Sequence, residues 1–517
     1  MNLRLTWVQP EDLVGHEIRQ ALEDGRDARA LAARWAAAGG PPAPETAGAS
    51  ATARPDLRPL ADSLLDALSD LPTPLSAREP TALADIQAAT TSRPGSGDAR
   101  DTPGDQGPGA GTAGPAGPAG PAGAPEAPGA AEALGPAGPV AASGPVRAPG
   151  QWGPMPGAGQ GVGEDDALRD RLHAAWLGRA AGCLLGKPVE KLGLHAIRAL
   201  ARATGNWPLS TWFTARGVPP ELLAAHPWNR RSAATSLAEN IDGMPEDDDL
   251  NYPLLNLLLL QRHGRGFSTA DVARLWLDEL PAGRTFTAER VAYRNLLDGI
   301  EPPLTAVHRN PFREWIGAQI RADVHGWTHP GDPVAAAEQA YRDAALTHTA
   351  NGVYGAMFVA ATLAAAATGA ADVHRSLAAG LAVIPPRSRL ARAVRRGIGL
   401  ARDTPDFDTV ADRLHTELGG YHWVHAVPNA ALLAAALTHA DGDFTRSICA
   451  AVSGGWDTDS NGATAGSVAG LLAGHPDRLP ERWTSPLKNR LATSVPSFDG
   501  IGFDTLAELT HLEAVRP

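Results

Sequence analysis

Cysteine is scarce: two thiols, Cys183 and Cys449, in 517 residues. That excludes a disulfide scaffold and leads us to expect a reducing, cytoplasmic compartment. No CxxC or Cys/His spacing of a zinc site occurs. Positive charge is also in deficit, with 45 Lys and Arg against 57 Asp and Glu, a net charge of −12. There is no basic stripe, so nucleic acid is not an expected partner; phosphate neutralisation needs clustered cations. Alternating segments rich in Val, Ile and Thr are nearly missing, which argues against a β class. The opening Met1-Asn2-Leu3-Arg4-Leu5 has no long apolar run, so no secretory signal is expected. One uncharged stretch, 352–371, is long enough to span a bilayer. Its Ala, Gly and Thr content reads instead as a helix buried on all sides, and no membrane partner is expected.

Glycine (56) and proline (45) are abundant and unevenly spread, which divides the chain into three parts. Residues 1–40 read as a small helical segment, since Pro10-Glu11-Asp12 suits a first helical turn. Trp7, Pro10, Glu11, Asp12 and His16 mark it either as an appendage or as a patch that folds back on the rest or recruits a partner. Residues 41–164 read as a largely disordered Ala/Gly/Pro linker that cannot bury enough apolar surface to offset its ordering entropy. A short helix is expected within it over 57–71, from Leu60, Leu64, Leu65 and Leu68. From 165 to 517 helical periodicity dominates, and the expected fold class is all-α, many helices around one core. Gly462, Gly466, Gly470 and Gly474 recur every fourth residue, a smooth stripe on which another helix can lie closely. Each glycine costs about 1 kcal/mol in a helix interior, so the repeat implies a packing need.

Two acidic clusters carry the chemistry. Glu246-Asp247-Asp248-Asp249 precedes the leucine-rich run 254–260, and Gly454-Gly455-Trp456-Asp457-Thr458-Asp459-Ser460 precedes the glycine stripe. Either can be read as a helix cap favoured by the dipole. Yet both helices look buried, so the carboxylates sit at the mouth of a core, where their repulsion calls for a cation. Carboxylate and hydroxyl oxygens are hard ligands, which suits Mg²⁺ or Mn²⁺.

At these residues the chain resembles the ADP-ribosylglycohydrolase family. That family's Gly-Asp-x-x-Gly-x-x-x-Glu helix matches Gly182-Cys183-Leu184-Leu185-Gly186-Lys187-Pro188-Val189-Glu190, with Cys183 in place of Asp. Its Thr-Asp-Asp-Thr motif matches Glu246 to Asp249, with Glu246 and Asp249 replacing the two Thr. Its glycine loop ending in Arg resembles Gly317-Ala318-Gln319-Ile320-Arg321, its Leu-Thr-His element is Leu346-Thr347-His348, and its Gly-Gly-Asp-Thr-Asp-Thr motif is 454–460, with Ser460 for the last Thr.

The resemblance implies a compact multi-helix catalytic domain over 165–517 and two Mg²⁺ ions, Mn²⁺ being an alternative. Their implied ligands are Glu246, Asp247, Asp248, Asp457, Asp459 and Ser460. Asp247 or Asp248 would act as base, Glu190 as a gating or acid/base residue, and Gly317, Ala318 and His348 would contact substrate. The implied reaction is hydrolysis of the C1″ glycosidic bond of an ADP-ribosyl group, on a protein or a small conjugate. Hydrolysis of a small N-glycoside, and a catalytically silent ADP-ribose binder, remain as alternatives. Oligomeric state is not readable.

Cys183 reads as a packing residue rather than a nucleophile, and His425 as structural. Trp207, Trp212 and Trp228 read as core anchors or as a lid.

Overall fold

The computed structural model describes residues 5–45, 54–91 and 164–516. Among them helices account for all regular structure; the only β pairing is isolated bridges, such as Trp315 with His425. The protein is all-α.

Its central pairing is between the helices Glu164–Gly186 and Thr458–Ala473. The glycine stripe explains it. A Cβ on Gly462 would strike the Gly182 carbonyl, one on Gly466 the Gly178 carbonyl, and one on Gly470 the Ala174 carbonyl. The partner helix is built the same way, with Gly178, Gly182 and Gly186 at four-residue spacing facing the second helix's backbone. The two axes therefore approach backbone to backbone, a closeness only glycine permits. Thr458 Oγ1 donates to the Gly186 carbonyl at 2.9 Å and locks the end of one helix to the start of the other.

The uncharged run forms the helix Ala350–Ala367, all of whose residues are buried. It is the one helix among the described residues long and apolar enough to cross a membrane, and it lies within the core. The leucine-rich run forms the helix Asp248–His263, buried from Asp249 to Leu260. Pro253 inside it cannot donate to the Asp249 carbonyl one turn back. Arg179 Nε donates to that carbonyl instead, at 2.8 Å.

The N-terminal part is larger than the 1–40 segment. Helices Pro10–Glu23, Arg29–Ala37, Arg58–Ser69 and Leu83–Thr91 belong to one compact unit with the C-terminal body. Arg58–Ser69 occupies the short helix expected over 57–71 and buries Ala61, Leu64, Leu65 and Leu68. Leu83–Thr91 was hidden inside the linker by its Ala and Thr content. The rest of that linker, 92–163, lies outside the described residues. Of the two readings of the first helix, the structure has it folding back. Trp7 meets Phe286 edge-on at 5.9 Å, and His16 meets Phe312 and Trp315 at 4.9 and 5.7 Å. Buried ion pairs complete the seam: Arg313 with Glu17 and Asp24, both at 2.8 Å, and Arg389 with Glu79 at 2.7 Å and Glu314 at 2.8 Å.

Candidate metal centre

Two helix starts and one helix end converge here. Asp247 is the N-cap of Asp248–His263, its Oδ1 accepting from the Asp249 N–H at 2.9 Å. Asp457 sits at the N-cap position of Thr458–Ala473. Its own N–H donates to Asn429 Oδ1 at 3.1 Å, and Asn461 donates to the same oxygen at 2.7 Å. The turn before it passes through Trp456 at φ +55°, a conformation a large side chain rarely adopts. Its ring is stacked on His415 at 4.0 Å, and His415 Nε2 lies 2.8 Å from the Gly454 carbonyl oxygen. From the other side the Glu164–Gly186 helix ends, bringing Arg179, Cys183 and then Lys187 and Glu190.

The helix-cap reading of the acidic clusters is therefore true of Asp247, and the convergence reading is true as well. Asp457 and Asp459 crowd each other: the Asp459 carboxyl repels that of Asp457. Asp459 Oδ1 is a buried oxygen with no hydrogen-bond partner. Burial first, then Glu190 and Asp247, pushes Asp459 up to about 7. Burial and Asp459 push Asp457 well above the carboxylate range, and burial with Asp247, Asp459 and Glu190 does the same to Asp248. Asp459 thus repels both Asp457 and Asp248, and none of the three is in an ion pair among the described residues. An orphaned buried oxygen within an all-oxygen donor set fits a divalent hard cation.

The remaining acids have cations of their own. Asp249 meets Arg179 at 3.3 Å, but that buried guanidinium also holds Asp323 at 2.9 Å, and burial with Asp247 still pushes the Asp249 carboxyl well above the carboxylate range. Asp247 Oδ2 is in an ion pair with Lys187; burial would raise the Asp247 carboxyl, but the ammonium outweighs it and holds it low. Glu246 turns outward to Arg284 at 2.8 Å and Asn251 at 3.2 Å. Glu190 accepts from Asn229 at 2.5 Å and pairs with Lys191 at 3.0 Å. Ser460 Oγ donates to Asp249 Oδ2 at 3.2 Å. Cys183, Asp247 and Asp249 bring their donor atoms within 4.8 Å of one another. Burial, then Asp247 and Asp249, drives the Cys183 thiol upward, so it is no thiolate nucleophile.

The sequence-level ligand set is thus gathered in one place, with Glu246, Asp247 and Ser460 engaged by other partners. Gly317, Ala318 and His348 belong to a different buried network. A Cβ on Gly317 would collide with the Glu289 carboxylate. Arg321, fully buried, holds Glu289 at 2.9 Å and Asp343 at 2.7 Å. His348 Nδ1 lies 2.6 Å from Thr347 Oγ1, and burial with Arg321 keeps the imidazole neutral. His425 caps the helix Ala426–Ala440 by accepting from the Val427 N–H, a structural role. Trp212 and Trp228 are buried, and Trp212 packs on Trp483 at 4.7 Å, so both are core anchors. Trp207 donates to Asp408 at 3.1 Å beneath the Arg202 guanidinium.

Arg179, Lys187, Asn229 and Asn429 escaped sequence reasoning. The first two had a signal: 179, 183 and 187 follow at four-residue spacing and share a helix face. Beside the centre opens a cavity of about 420 Å³. Its walls include Lys191, His415, His422, Trp423 and Trp456, and Arg19 from the first helix.

A family model described as ADP-ribosylglycohydrolase matches residues 164–515. No curated relative matches the chain. Among solved structures, one described as an ADP-ribosylglycohydrolase-related protein complex is 21% identical, covering 68% of this chain and 98% of its own, with a TM-score of 0.41. The family match spans most of the chain and contains both acidic clusters: this protein belongs to the ADP-ribosylglycohydrolase family.

Proposed function

We infer that the protein is a metal-dependent hydrolase of the C1″ glycosidic bond of an ADP-ribosyl or related ribosyl group. The observation that carries this reading is the buried Asp459 Oδ1, left without a partner among carboxyls that Asp459 repels, those of Asp457 and Asp248. These residues would hold Mg²⁺ or Mn²⁺, which when bound supplies ribose-hydroxyl chelation and polarisation of water. Half-buried Asp248 is the candidate base, taking the proton of the attacking water. Glu190, positioned by Asn229 and Lys191, is the candidate gate or proton donor to the leaving group. The C1″ bond to the leaving group breaks, a C1″–O bond to water forms, and the proton passes to the leaving group. Concentrated negative charge favours the oxocarbenium-like state between.

The cavity favours a second reading within the same chemistry, a small conjugate rather than a modified protein. Arg19 of the N-terminal helix reaches into its wall, beside aromatic rings suited to a base or sugar face. A cytoplasmic setting belongs to the proposal; it is supported by two buried, unpaired thiols.

The test is thermal melting of the full chain with Mg²⁺, Mn²⁺ or EDTA, each with and without ADP-ribose. A ligand at about 100 times its Kd adds roughly 2.7 kcal/mol. We expect a metal-dependent rise in Tm, enlarged by ADP-ribose and lost in Asp457→Ala. Hydrolysis assays on ADP-ribosylated arginine, ADP-ribosylated serine and simple nucleosides then assign the leaving group. Metal and ADP-ribose binding with no hydrolysis of any of these would make the protein a silent binder.

A further inference from the structure

We propose that the acidic centre takes one divalent cation rather than two, the Lys187 ammonium occupying the second cationic position, at Asp247. The proposal rests on the metal-centre reading above.

Both oxygens of Asp247 are engaged: Oδ1 by the Asp249 N–H at 2.9 Å, and Oδ2 by Lys187 Nζ, which also lies 3.5 Å from the Glu246 carbonyl oxygen. The lysine side chain is 9% exposed and its carboxylate partner 7%. This ammonium is not a surface charge that happens to reach inward. Lys187 opens a short turn, Lys187–Val189, whose three residues are all buried. A Cβ on the residue before it, Gly186, would strike the Thr458 carbonyl and the Asp459 N–H, and the Pro188 carbonyl accepts from the Asn229 N–H at 2.9 Å. The backbone is pinned on both sides, so the side chain leaves Asp247 only by abandoning a buried ion pair. Removing one partner of such a pair strands the other charge in a low-dielectric site.

Charge count leads to the same result. Asp249 shares Arg179 with Asp323, Asp247 has Lys187, Glu190 has Lys191, and Glu246 has Arg284. Asp248, Asp457 and Asp459 are left. One dication against three carboxylates leaves a modest negative excess, which suits binding of a neutral sugar with developing positive charge. A second dication would have to share Asp247 with an ammonium, cation against cation. The number of ions at a centre is set by the cations its protein already supplies, and here one is built in.

The experiment is metal counting on the full-length chain, stripped with EDTA and titrated with Mn²⁺. Calorimetry and elemental analysis give the stoichiometry; electron paramagnetic resonance distinguishes an isolated Mn²⁺ from a spin-coupled pair. We expect one Mn²⁺ per chain with an uncoupled spectrum in the native protein and in Lys187→Arg, and two with a coupled spectrum in Lys187→Met. Two ions in the native protein overturn the proposal while leaving the metal centre intact. A Lys187→Met variant that folds and still takes one ion also overturns it. If that variant does not fold, the native and Lys187→Arg stoichiometries decide. No Mn²⁺ binding by the native protein removes the metal-centre reading itself, and this proposal with it.

Discussion

Cys183 Sγ and Asp249 Oδ2 stand 3.9 Å apart. In the family pattern the first position is Asp and the second Thr. Two of the chain's departures from that pattern, Cys183 and Asp249, thus meet across a single contact, as if a carboxylate had moved from one helix to the other and a small polar group had moved back. Cys183→Asp alone puts a second carboxylate at this contact and should destabilise the fold. Adding Asp249→Thr should recover part of the loss, with a coupling energy of about 0.5–3 kcal/mol from a double-mutant cycle in denaturant. Additive effects would sink the exchange. Protonation follows from the same crowding. The unfolded Asp459 titrates near 3.8 and the folded, metal-free one near 7, so the folded state binds the extra proton between these values. That contribution to stability is present at low pH and fades as pH rises from about 4 to 7. A cation must displace this proton. Mn²⁺ affinity should therefore weaken as pH falls below about 7, a trend calorimetry at several pH values would check.

At the scale of elements, the glycine racks of Glu164–Gly186 and Thr458–Ala473 fix which residues meet. Four residues of helix rise about 6 Å, so a one-notch slip would carry Lys187 and Glu190 about 6 Å along the partner and dissolve the centre. Gly182→Ala sets a methyl against the Gly462 carbonyl. It should cost at least about 1–3 kcal/mol and lower metal affinity, though residue 182 touches no ligand. Unchanged Mn²⁺ binding in a destabilised variant would separate packing from site geometry. This pairing was half legible in the sequence. The stripe at 462–474 announced a close partner, but the matching 178–182–186 series sits in a helix with charged residues and showed itself only as part of a motif. The acidic clusters were legible because carboxylates ahead of apolar helices conflict with burial. The cations answering them were not: Arg179 and Lys187 look like ordinary polar residues until the fold buries them. The structure holds Gly317 and His348 beside Glu289 and Arg321, a relation between distant segments that spacing cannot express.

Across the whole molecule, the N-terminal helices form one compact unit with the C-terminal body. Glu79 is 4% exposed at its side chain and meets Arg389, while Asn351 donates to it at 2.8 Å. Glu79→Ala leaves that guanidinium with Glu314 at 2.8 Å and Asp24 at 3.6 Å and should cost about 1.5–3 kcal/mol, read from chemical denaturation; a change under about 1 kcal/mol would mean this ion pair adds little to the seam. The partners in this seam are far apart along the chain, 296 residues between Glu17 and Arg313 and 310 between Glu79 and Arg389. At about 5–20 residues per second of synthesis, Glu17 and Glu79 wait roughly 15 to 60 s for the arginines that close this seam. The seam thus closes late in synthesis. A chaperone or a slow-folding phase has its natural point of action there, on a nascent segment whose Glu79 has no arginine partner until Arg389 has been made.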